Sequence, residues 1–208
     1  MSASLHDDES IAGLRIPVAL AERHVHLTQE VIEQLFCDRY RLHEAARASQ
    51  PTQFAAQELV TLVGPRGRIP NVRIIGPPRA DNQVEISLSD ASLLGIAVPM
   101  RESGDLKDTP GVFIEGPRTC VRLDHGLIRA LRHVHMNPTE AARRGLRDGD
   151  RIDVIREGEN PRTVFCDVLV RVSAAFRSEF HVDAEEGAAA GLPPGSLVAV
   201  KIKPADGR

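Results

Sequence analysis

The amino-acid sequence predicts a mostly β protein with two small barrels and short helical caps. Short apolar strands recur along the chain, separated by turns such as Gly64-Pro65-Arg66-Gly67 and Gly76-Pro77-Pro78. A five-residue string occurs nearly twice, as Arg23-His24-Val25-His26-Leu27 and Arg132-His133-Val134-His135-Met136, which indicates two related units. Strands do not alternate with long helices, so a doubly wound parallel sheet is not expected.

Strands and helices are predicted from hydrophobic alternation, helical spacing and turn residues. The first strand runs from Arg15 to His26, and Thr28 is a candidate N-cap of a short helix. Residues 38–57 are polar and broken by Pro51, which predicts a connector with some helix. The remaining predicted strands are 59–63, 72–75, 84–88, 111–115, 121–123, 127–135, 151–156, 163–171, 179–183 and 197–202, with further helices from Asn137 to Gly145 and over 185–190.

Composition excludes several classes of function. The 208-residue chain has a net charge of −3, 3% aromatic residues and no Trp, which argues against nucleic-acid binding. No run approaches about 18 apolar residues and no basic, then apolar leader opens the chain, so we expect a cytoplasmic protein without a membrane segment. Cys37, Cys120 and Cys166 are widely spaced and odd in number, so we expect reduced, mostly packed thiols.

The duplicated string carries four of the eight histidines in the chain. In a β-strand, residues i and i+2 lie on one face about 6.5–7 Å apart, so the two imidazoles of each copy can converge on one cation. On a helix, the same spacing would send them to nearly opposite sides. Glu85 and His181 lie in predicted strands and are two further candidate ligands. The duplication therefore favours two metal-binding strands over exposed histidines on edge strands.

Three arginines and one turn are candidates for other roles. Arg79 follows a Pro-stiffened turn, where its guanidinium is suited to bidentate phosphate binding, and a solvated loop arginine is the alternative. Arg23 and Arg132 point away from the histidines of their strands, so we expect them to form structural ion pairs. Ser103-Gly104 can offer a hydroxyl and N–H groups to an anion, or be simply a turn.

The chain resembles the phosphate propanoyltransferases, the PduL-type phosphotransacylases, over residues 15–203. The motifs that carry this resemblance stand in one order: Ile16-Pro17-Val18, Arg23-His24-Val25-His26-Leu27, Gln53-Phe54-Ala55-Ala56, Gln83-Val84-Glu85-Ile86-Ser87, Arg101-Glu102-Ser103-Gly104-Asp105-Leu106-Lys107, Arg132-His133-Val134-His135-Met136 and Leu169-Val170-Arg171-Val172-Ser173. The resemblance implies reversible transfer of a short acyl group, propanoyl or acetyl, between CoA and inorganic phosphate.

The resemblance also implies a domain arrangement and a metal site. It implies two β-barrel domains with a dinuclear zinc site between them, and a swapped N-terminal strand. The expected boundaries are a flexible extension over 1–14, one barrel from 15–38 plus 130–204, and a second from 39–129. Two zinc ions per chain are expected, and the implied ligands are His24, His26, Glu85, His133, His135 and His181.

Further site residues follow only from the resemblance. Arg79 matches the phosphate-binding arginine and is the expected catalytic residue. The positions expected near CoA are Leu20, Ala21, Glu22, Arg66, Arg73 and Ala188. The family usually has small polar residues where this chain has Ala21 and Glu22, and often Asn where it has Ala188, so CoA affinity or acyl preference is expected to differ. We expect a direct reaction of phosphate with acyl-CoA, without an acyl-cysteine intermediate.

The amino-acid sequence leaves two rival functions and several partners open. A zinc hydrolase of thioesters or phosphoesters would use the same ligands with water in place of phosphate. A non-catalytic zinc-stabilised binding module would need the metal only for its fold. The resemblance is compatible with a homo-oligomer, with shell or core enzymes of a bacterial microcompartment as partners, with propanediol degradation as the setting, and with a cytoplasmic or microcompartment location.

Overall fold

The computed structural model of the chain describes residues 14–157 and 162–202. The strands are β1 Arg15–Ala21, β2 His24–His26, β3 Glu44–Arg47, β4 Phe54–Val63, β5 Arg68–Gly76, β6 Gln83–Glu85, β7 Met100–Arg101, β8 Val112–Glu115, β9 Cys120–Leu123, β10 Leu127–Ala130, β11 His133–Met136, β12 Arg151–Arg156, β13 Thr163–Val172, β14 Glu179–Asp183 and β15 Leu197–Lys201. The helices are α1 Gln29–Leu35, α2 Leu88–Leu94, α3 Pro138–Arg143 and α4 Ala184–Ala189. None of the helices in this part of the chain is long and apolar enough to cross a membrane.

The described residues form two compact units, which we call the barrel unit and the sheet unit. The barrel unit comprises residues 14–20, 132–157, 162–182 and 186–202, and the sheet unit comprises residues 21–131 and 183–185. The barrel unit contains a closed barrel with the strand order β1-β14-β11-β13-β12-β15. The predicted swap of the N-terminal strand is confirmed, because β1 pairs with the C-terminal strand β15 in this barrel.

The sheet unit contains a nine-stranded sheet where a second barrel was predicted. Its path runs β7-β10-β6-β2-β5-β4-β8-β9, with β3 paired to β4 beside this path. The prediction of a mostly β protein with short helical caps is confirmed. Of the predicted extension over 1–14, only Leu14 falls within the described residues.

The domain boundary near the N-terminus differs from the expected one. The predicted single strand over 15–26 is two strands, because Glu22 and Arg23 interrupt it between β1 and β2. Strand β2 is parallel to β5 and antiparallel to β6, so the residues from Ala21 onward belong with the sheet unit. The expected grouping of residues 15–38 in one barrel is thus split after Leu20.

Other local differences follow from turn and capping chemistry. The connector over 38–57 contains β3 and the start of β4 but no helix. The predicted strand over 84–88 ends at Glu85, because Ser87 and Asp90 form a capping box that starts α2. That helix ends at Gly95, whose positive φ of 73° suits glycine. The predicted strand over 127–135 is divided into β10 and β11.

Each unit has its own hydrophobic core, and one copy of the duplicated string borders each core. Val25, the central residue of the first string, is fully buried in the core of the sheet unit with Ile74 and Val84. Val134, the central residue of the second, is fully buried in the barrel core with Phe180. Because side chains alternate along a strand, both histidines of each string lie on the face opposite to this valine.

Candidate metal centre

The first candidate metal site lies in the sheet unit and consists of His24, His26 and Glu85, here called the Glu85 cluster. One ligand atom of each residue lies within 4.8 Å of the other two. The antiparallel register of β2 and β6 places His24 directly opposite Glu85. His24 Nε2 is 3.7 Å from Glu85 Oε2. Strand pairing alone thus brings together residues that are separated by about sixty positions in sequence.

Backbone carbonyls hold both imidazoles of the Glu85 cluster in a ligand-ready orientation. His24 Nδ1 donates to the carbonyl oxygen of Glu22 at 2.8 Å, and His26 Nδ1 donates to that of Ile75 at 3.1 Å. These bonds place the protons on Nδ1, so the lone pairs are on the two Nε2 atoms, which lie 3.2 Å apart. Two converging lone pairs at this distance fit a shared cation, which would also relieve their repulsion.

The carboxylate of Glu85 is also held by two polar side chains, those of Gln83 and Ser103. Gln83 Nε2 donates to Glu85 Oε1 at 2.5 Å, and Ser103 Oγ donates to the same oxygen at 3.1 Å. The amide of Gln83 is itself fixed, because its Oε1 accepts from Gly104 N at 2.8 Å. Ser103 and Gly104 therefore have a role in this structure, since they support Glu85 from the loop that follows β7.

The second candidate metal site lies in the barrel unit and consists of His133, His135 and His181, here called the His181 cluster. One nitrogen of each lies within 4.8 Å of the others. The register of β11 and β14 places His133 directly opposite His181. The His133 and His181 rings stack with centroids 5.0 Å apart, and the His135 ring lies 4.4 Å from that of His181. All three predicted ligands are thus brought together here as well.

The His181 cluster also contains an unsatisfied nitrogen. His135 Nδ1 is buried and, within the described part of the chain, has no hydrogen-bonding partner. The Phe176 ring covers the His135 imidazole at a centroid distance of 3.8 Å. Burying an imidazole nitrogen without a partner is costly, so an atom that binds the cluster would offset that cost. The donor sets of both clusters, imidazole nitrogen with or without a carboxylate, fit zinc.

Burial keeps the second histidine of each string, His26 or His135, neutral. Desolvation, together with the nearby His24 and Arg79, lowers the pKa of His26 to about 3. Desolvation, together with the nearby His181, His133 and Arg171, lowers the pKa of His135 to about 2. A metal ligand must be deprotonated, so neither histidine needs to release a proton at neutral pH before it binds a cation.

The arginine before each pair of histidines forms the predicted ion pair. Arg23 Nε is 3.0 Å from Asp90 Oδ2 in the sheet unit. Arg132 pairs with Glu186 in the barrel unit and also lies 5.8 Å above the ring of Phe165. Each acidic partner stands five residues after the third ligand of its cluster, in the helix that follows it. Both arginines therefore have structural roles.

Arg79 lies close to the Glu85 cluster. Its backbone N–H donates to the carbonyl oxygen of Leu27 at 2.9 Å, which ties the β5–β6 loop to the end of the histidine strand. Its positive charge contributes to the lowered pKa of His26, so the guanidinium is near that imidazole. An arginine beside a cation site is suited to an anion that also contacts the cation.

The residues expected near CoA are distributed over both units. Leu20 packs on Gly187, where an added Cβ would come within 2.4 Å of Leu20 Cδ2, and Ala188 is exposed beside it on α4. In the sheet unit, Ala21 is half-buried, while Glu22 is exposed and contributes its carbonyl to His24. The two arginines also lie in the sheet unit, in the β4–β5 turn and on β5, and are Arg66 and Arg73.

The two arginines differ in what their side chains contact. The Arg66 side chain is exposed, and its alkyl stem lies against Gly95. Arg73 donates to the carbonyl oxygens of Ala56 and Gln57 at 2.7 and 3.3 Å, so part of its guanidinium is used within its own sheet. Arg66 therefore has the more accessible positive charge.

The cysteines are free, as predicted, but the expectation that they are packed is wrong. Cys37, Cys120 and Cys166 are all exposed. Cys37 follows α1, Cys120 begins the outermost strand β9, and Cys166 occupies an outward position of β13. None of them belongs to either cluster.

Sequence reasoning did not assign roles to four neighbours of the two clusters. Gln83 in the sheet unit contacts Glu85, and Glu179 Oε2 in the barrel unit lies 2.8 Å from His181 Nε2. Phe176 stacks on His135, and Arg171 contributes to its lowered pKa. Gln83 and Glu179 each lie two positions before a ligand on the same strand face, which is the signal that could have revealed them.

Comparison with known proteins identifies relatives over most of the chain. The family model of phosphate propanoyltransferase matches residues 17–193. A phosphate propanoyltransferase of Thermotoga maritima is 48% identical over 183 residues, which cover 88% of this chain and 87% of the relative. Proteins of the same name are 43% identical in Rhodopseudomonas palustris, over 95% of this chain and 87% of the relative, and 44% identical in Salmonella typhimurium, over 85% and 83%.

Proposed function

The chain belongs to the phosphate propanoyltransferase family and transfers an acyl group between CoA and phosphate; we propose that it does so with two zinc ions, one held by each cluster. The observation that carries this proposal is the repeated geometry of the two clusters, in which a His-x-His strand faces a third ligand on an antiparallel neighbour. Propanoyl-CoA and acetyl-CoA are the proposed substrates. Both ions are proposed to be needed for the same reaction.

The proposed reaction is phosphorolysis of a thioester. A phosphate oxygen forms a bond to the thioester carbonyl carbon, the C–S bond breaks, and the products are acyl phosphate and the thiolate of CoA. Bound zinc supplies Lewis acidity, which neutralises phosphate charge and stabilises the oxyanion that develops at the carbonyl. The histidines and Glu85 hold the ions, and their carbonyl and side-chain partners fix ligand orientation before substrate binds.

We assign the phosphate to Arg79. Its guanidinium can bind two phosphate oxygens at once and fix the nucleophile beside the Glu85 cluster, which supplies positioning rather than proton transfer. Arg66 and Arg73 are proposed to contact the phosphates of CoA, with Arg66 the more accessible of the two. The surfaces around Leu20 with Ala188, and around Ala21 with Glu22, are proposed to contact the rest of CoA.

The test combines metal analysis with a CoA-release assay. Purified protein should contain two zinc ions per chain, and it should release CoA from propanoyl-CoA or acetyl-CoA only when inorganic phosphate is present. The acyl phosphate should form in equal amount to the CoA. Release of CoA without phosphate would identify a zinc hydrolase instead, and a trapped acyl-enzyme with ping-pong kinetics would overturn the direct reaction.

A further inference from the structure

We propose that Gln83 and Glu179 are equivalent positioning residues, each chemically matched to the third metal ligand two positions after it. This inference rests on the proposed zinc ions. Gln83 precedes the carboxylate ligand Glu85, and Glu179 precedes the imidazole ligand His181. The first supplies a hydrogen-bond donor to an anion, and the second supplies an acceptor to an imidazole N–H.

The two residues occupy the same place in their units. Gln83 pairs with His26 across β6 and β2, and Glu179 pairs with His135 across β14 and β11. Each therefore lies opposite the second histidine of its cluster, on the same strand face as the third ligand. Gln83 is 2% exposed and Glu179 is 9% exposed. A polar side chain that is buried at this depth needs a defined partner, and in both units a metal-ligand candidate is among the partners.

In the sheet unit, the requirement is to orient a carboxylate. Gln83 Nε2 and Ser103 Oγ both donate to Oε1 of Glu85, so this oxygen is engaged by two hydrogen bonds. The other oxygen, Oε2, is the one that lies 3.7 Å from His24 Nε2. The donors to Oε1 thus leave Oε2 as the oxygen assigned to the cation. Gly104 N fixes which end of the Gln83 amide is the donor.

In the barrel unit, the requirement is to choose one nitrogen of an imidazole. Glu179 Oε2 lies 2.8 Å from His181 Nε2, so the carboxylate accepts the Nε2 proton. The lone pair of His181 is then on Nδ1, which becomes the atom assigned to the cation. A carboxylate acceptor also fixes the orientation of the imidazole ring as a ligand. A glutamine donor in this place would not provide that charge.

Zinc affinity measured one cluster at a time tests this assignment. A His133→Ala background isolates the Glu85 cluster, and a His24→Ala background isolates the His181 cluster. Competition with a chromophoric chelator should show that Gln83→Met weakens zinc binding at the Glu85 cluster by about 10- to 100-fold and Glu179→Met does so at the His181 cluster. Each substitution should leave the affinity of the other cluster unchanged.

Three further variants separate positioning from a general loss of structure. Glu179→Gln keeps an acceptor but removes the charge, so its effect should be smaller than that of Glu179→Met. Ser103→Ala leaves the Gln83 bond to Glu85 intact, so it should weaken zinc by less than about 10-fold. After zinc is removed with a chelator, the variants should melt at nearly the same temperature as the wild type. If Gln83→Met fails to fold, Gln83→Asn is the substitute: it keeps the amide but withdraws it by one methylene, and it should also weaken zinc binding.

The tautomer of His181 gives a readout that does not depend on affinity. Two-bond proton–nitrogen correlation spectra of zinc-loaded, nitrogen-15-labelled protein should show a protonated Nε2 on His181. Zinc-bound Nε2, or unchanged zinc affinity in Gln83→Met and Glu179→Met, would overturn the inference while leaving the proposed function intact. Absence of zinc binding in the wild type would instead overturn the proposed function.

Discussion

In the Glu85 cluster a carboxylate faces two imidazoles, whereas in the His181 cluster three imidazoles face one another. The surrounding strands are nevertheless arranged alike: β2 and β11 each have one parallel neighbour and one antiparallel neighbour, and the antiparallel one carries the third ligand. Strand register thus sets the geometry of both sites, while a single residue sets their charge. With zinc bound, the Glu85 ligand set leaves a net charge of +1 and the His181 set leaves +2.

The neighbouring charges reverse the sign of this difference: one positive neighbour takes the Glu85 site from +1 to +2, and one negative neighbour takes the His181 site from +2 to +1. Arg79 is close to His26 of the Glu85 cluster, and Glu179 is in contact with His181. The cluster with the anionic ligand therefore has a cation beside it, and the all-imidazole cluster has an anion beside it. The two sites therefore differ by one unit of charge whether or not these neighbours are counted.

Removal of a buried histidine from either cluster should have the largest effect on zinc content and activity. His26→Ala and His135→Ala should each lose one zinc ion per chain and lower phosphate-dependent CoA release by about 10³-fold or more, because the remaining ligands cannot hold the ion in place. Metal analysis and the release assay measure both. His125→Ala is the matched control, because His125 is exposed and lies outside both clusters. Full activity with one ion per chain would show that the two clusters do not share a function.

A second prediction concerns the cation beside the Glu85 cluster. Arg79→Ala should keep both zinc ions but raise the KM for phosphate by about 10- to 100-fold, because it removes a charge-assisted, bidentate contact. Initial rates over a range of phosphate concentrations measure this effect. Arg79→Lys should recover only part of the affinity, since an ammonium cannot bind two oxygens in one plane. Arg41→Ala, at an exposed loop position, is the control. Normal phosphate saturation in Arg79→Ala would refute the assigned role.

The sequence predicted which residues form the two clusters because strand periodicity and duplication are local signals. The His-x-His spacing places each pair of imidazoles on one face, and both third ligands were found in predicted strands. The ion pairs of Arg23 and Arg132 followed from the same alternation, although their partners did not. Gln83 and Glu179 share a strand face with Glu85 and His181, but this i, i+2 relation has meaning only once Glu85 and His181 are recognised as cluster members.

The errors arose where local patterns compete. The segment from Val84 to Leu88 alternates like a strand, but the capping box of Ser87 and Asp90 starts α2 within it. The stretch from Arg15 to His26 is predicted as one strand, yet the charged residues Glu22 and Arg23 interrupt it between β1 and β2. Outward-facing Cys166 was assigned to a packed position because cysteine is commonly buried.

A third prediction compares the two ion pairs that accompany the clusters. Arg23→Ala should lower the free energy of unfolding by about 1–2 kcal/mol, because it leaves the buried Asp90 with weaker partners. Arg132→Ala should cost about 0.5–1 kcal/mol, because both members of that pair are partly exposed. Urea unfolding of the chelated proteins, followed by circular dichroism, measures both. A larger effect for Arg132→Ala would show that the contact of Arg132 with Phe165 contributes more to stability than the burial of Asp90 beside Arg23.

The last prediction concerns a buried acid that shares a unit with the Glu85 cluster but lies outside it. Glu58 accepts hydrogen bonds from Tyr40 Oη at 2.9 Å and His43 Nδ1 at 2.7 Å. Burial alone would raise the pKa of Glu58, but these bonds and the backbone N–H of His43 outweigh it and lower the pKa. Because the folded-state pKa is below the unfolded value, the stabilisation is present above about pH 4.5 and is lost as the pH falls through the folded-state pKa.

Glu58→Gln should therefore be less stable than the wild type by about 1 kcal/mol at pH 7, and this difference should shrink as the pH falls below about 4.5. Urea unfolding of the chelated proteins at several pH values measures it, with Glu44→Gln, an exposed residue of β3, as the control. Zinc content at pH 7 should not change, because Glu58 is not a ligand of the Glu85 cluster. A difference that grows on acidification would mean that burial, not hydrogen bonding, dominates this carboxyl. Loss of zinc from Glu58→Gln would mean that zinc binding at the Glu85 cluster depends on charges beyond its immediate neighbours.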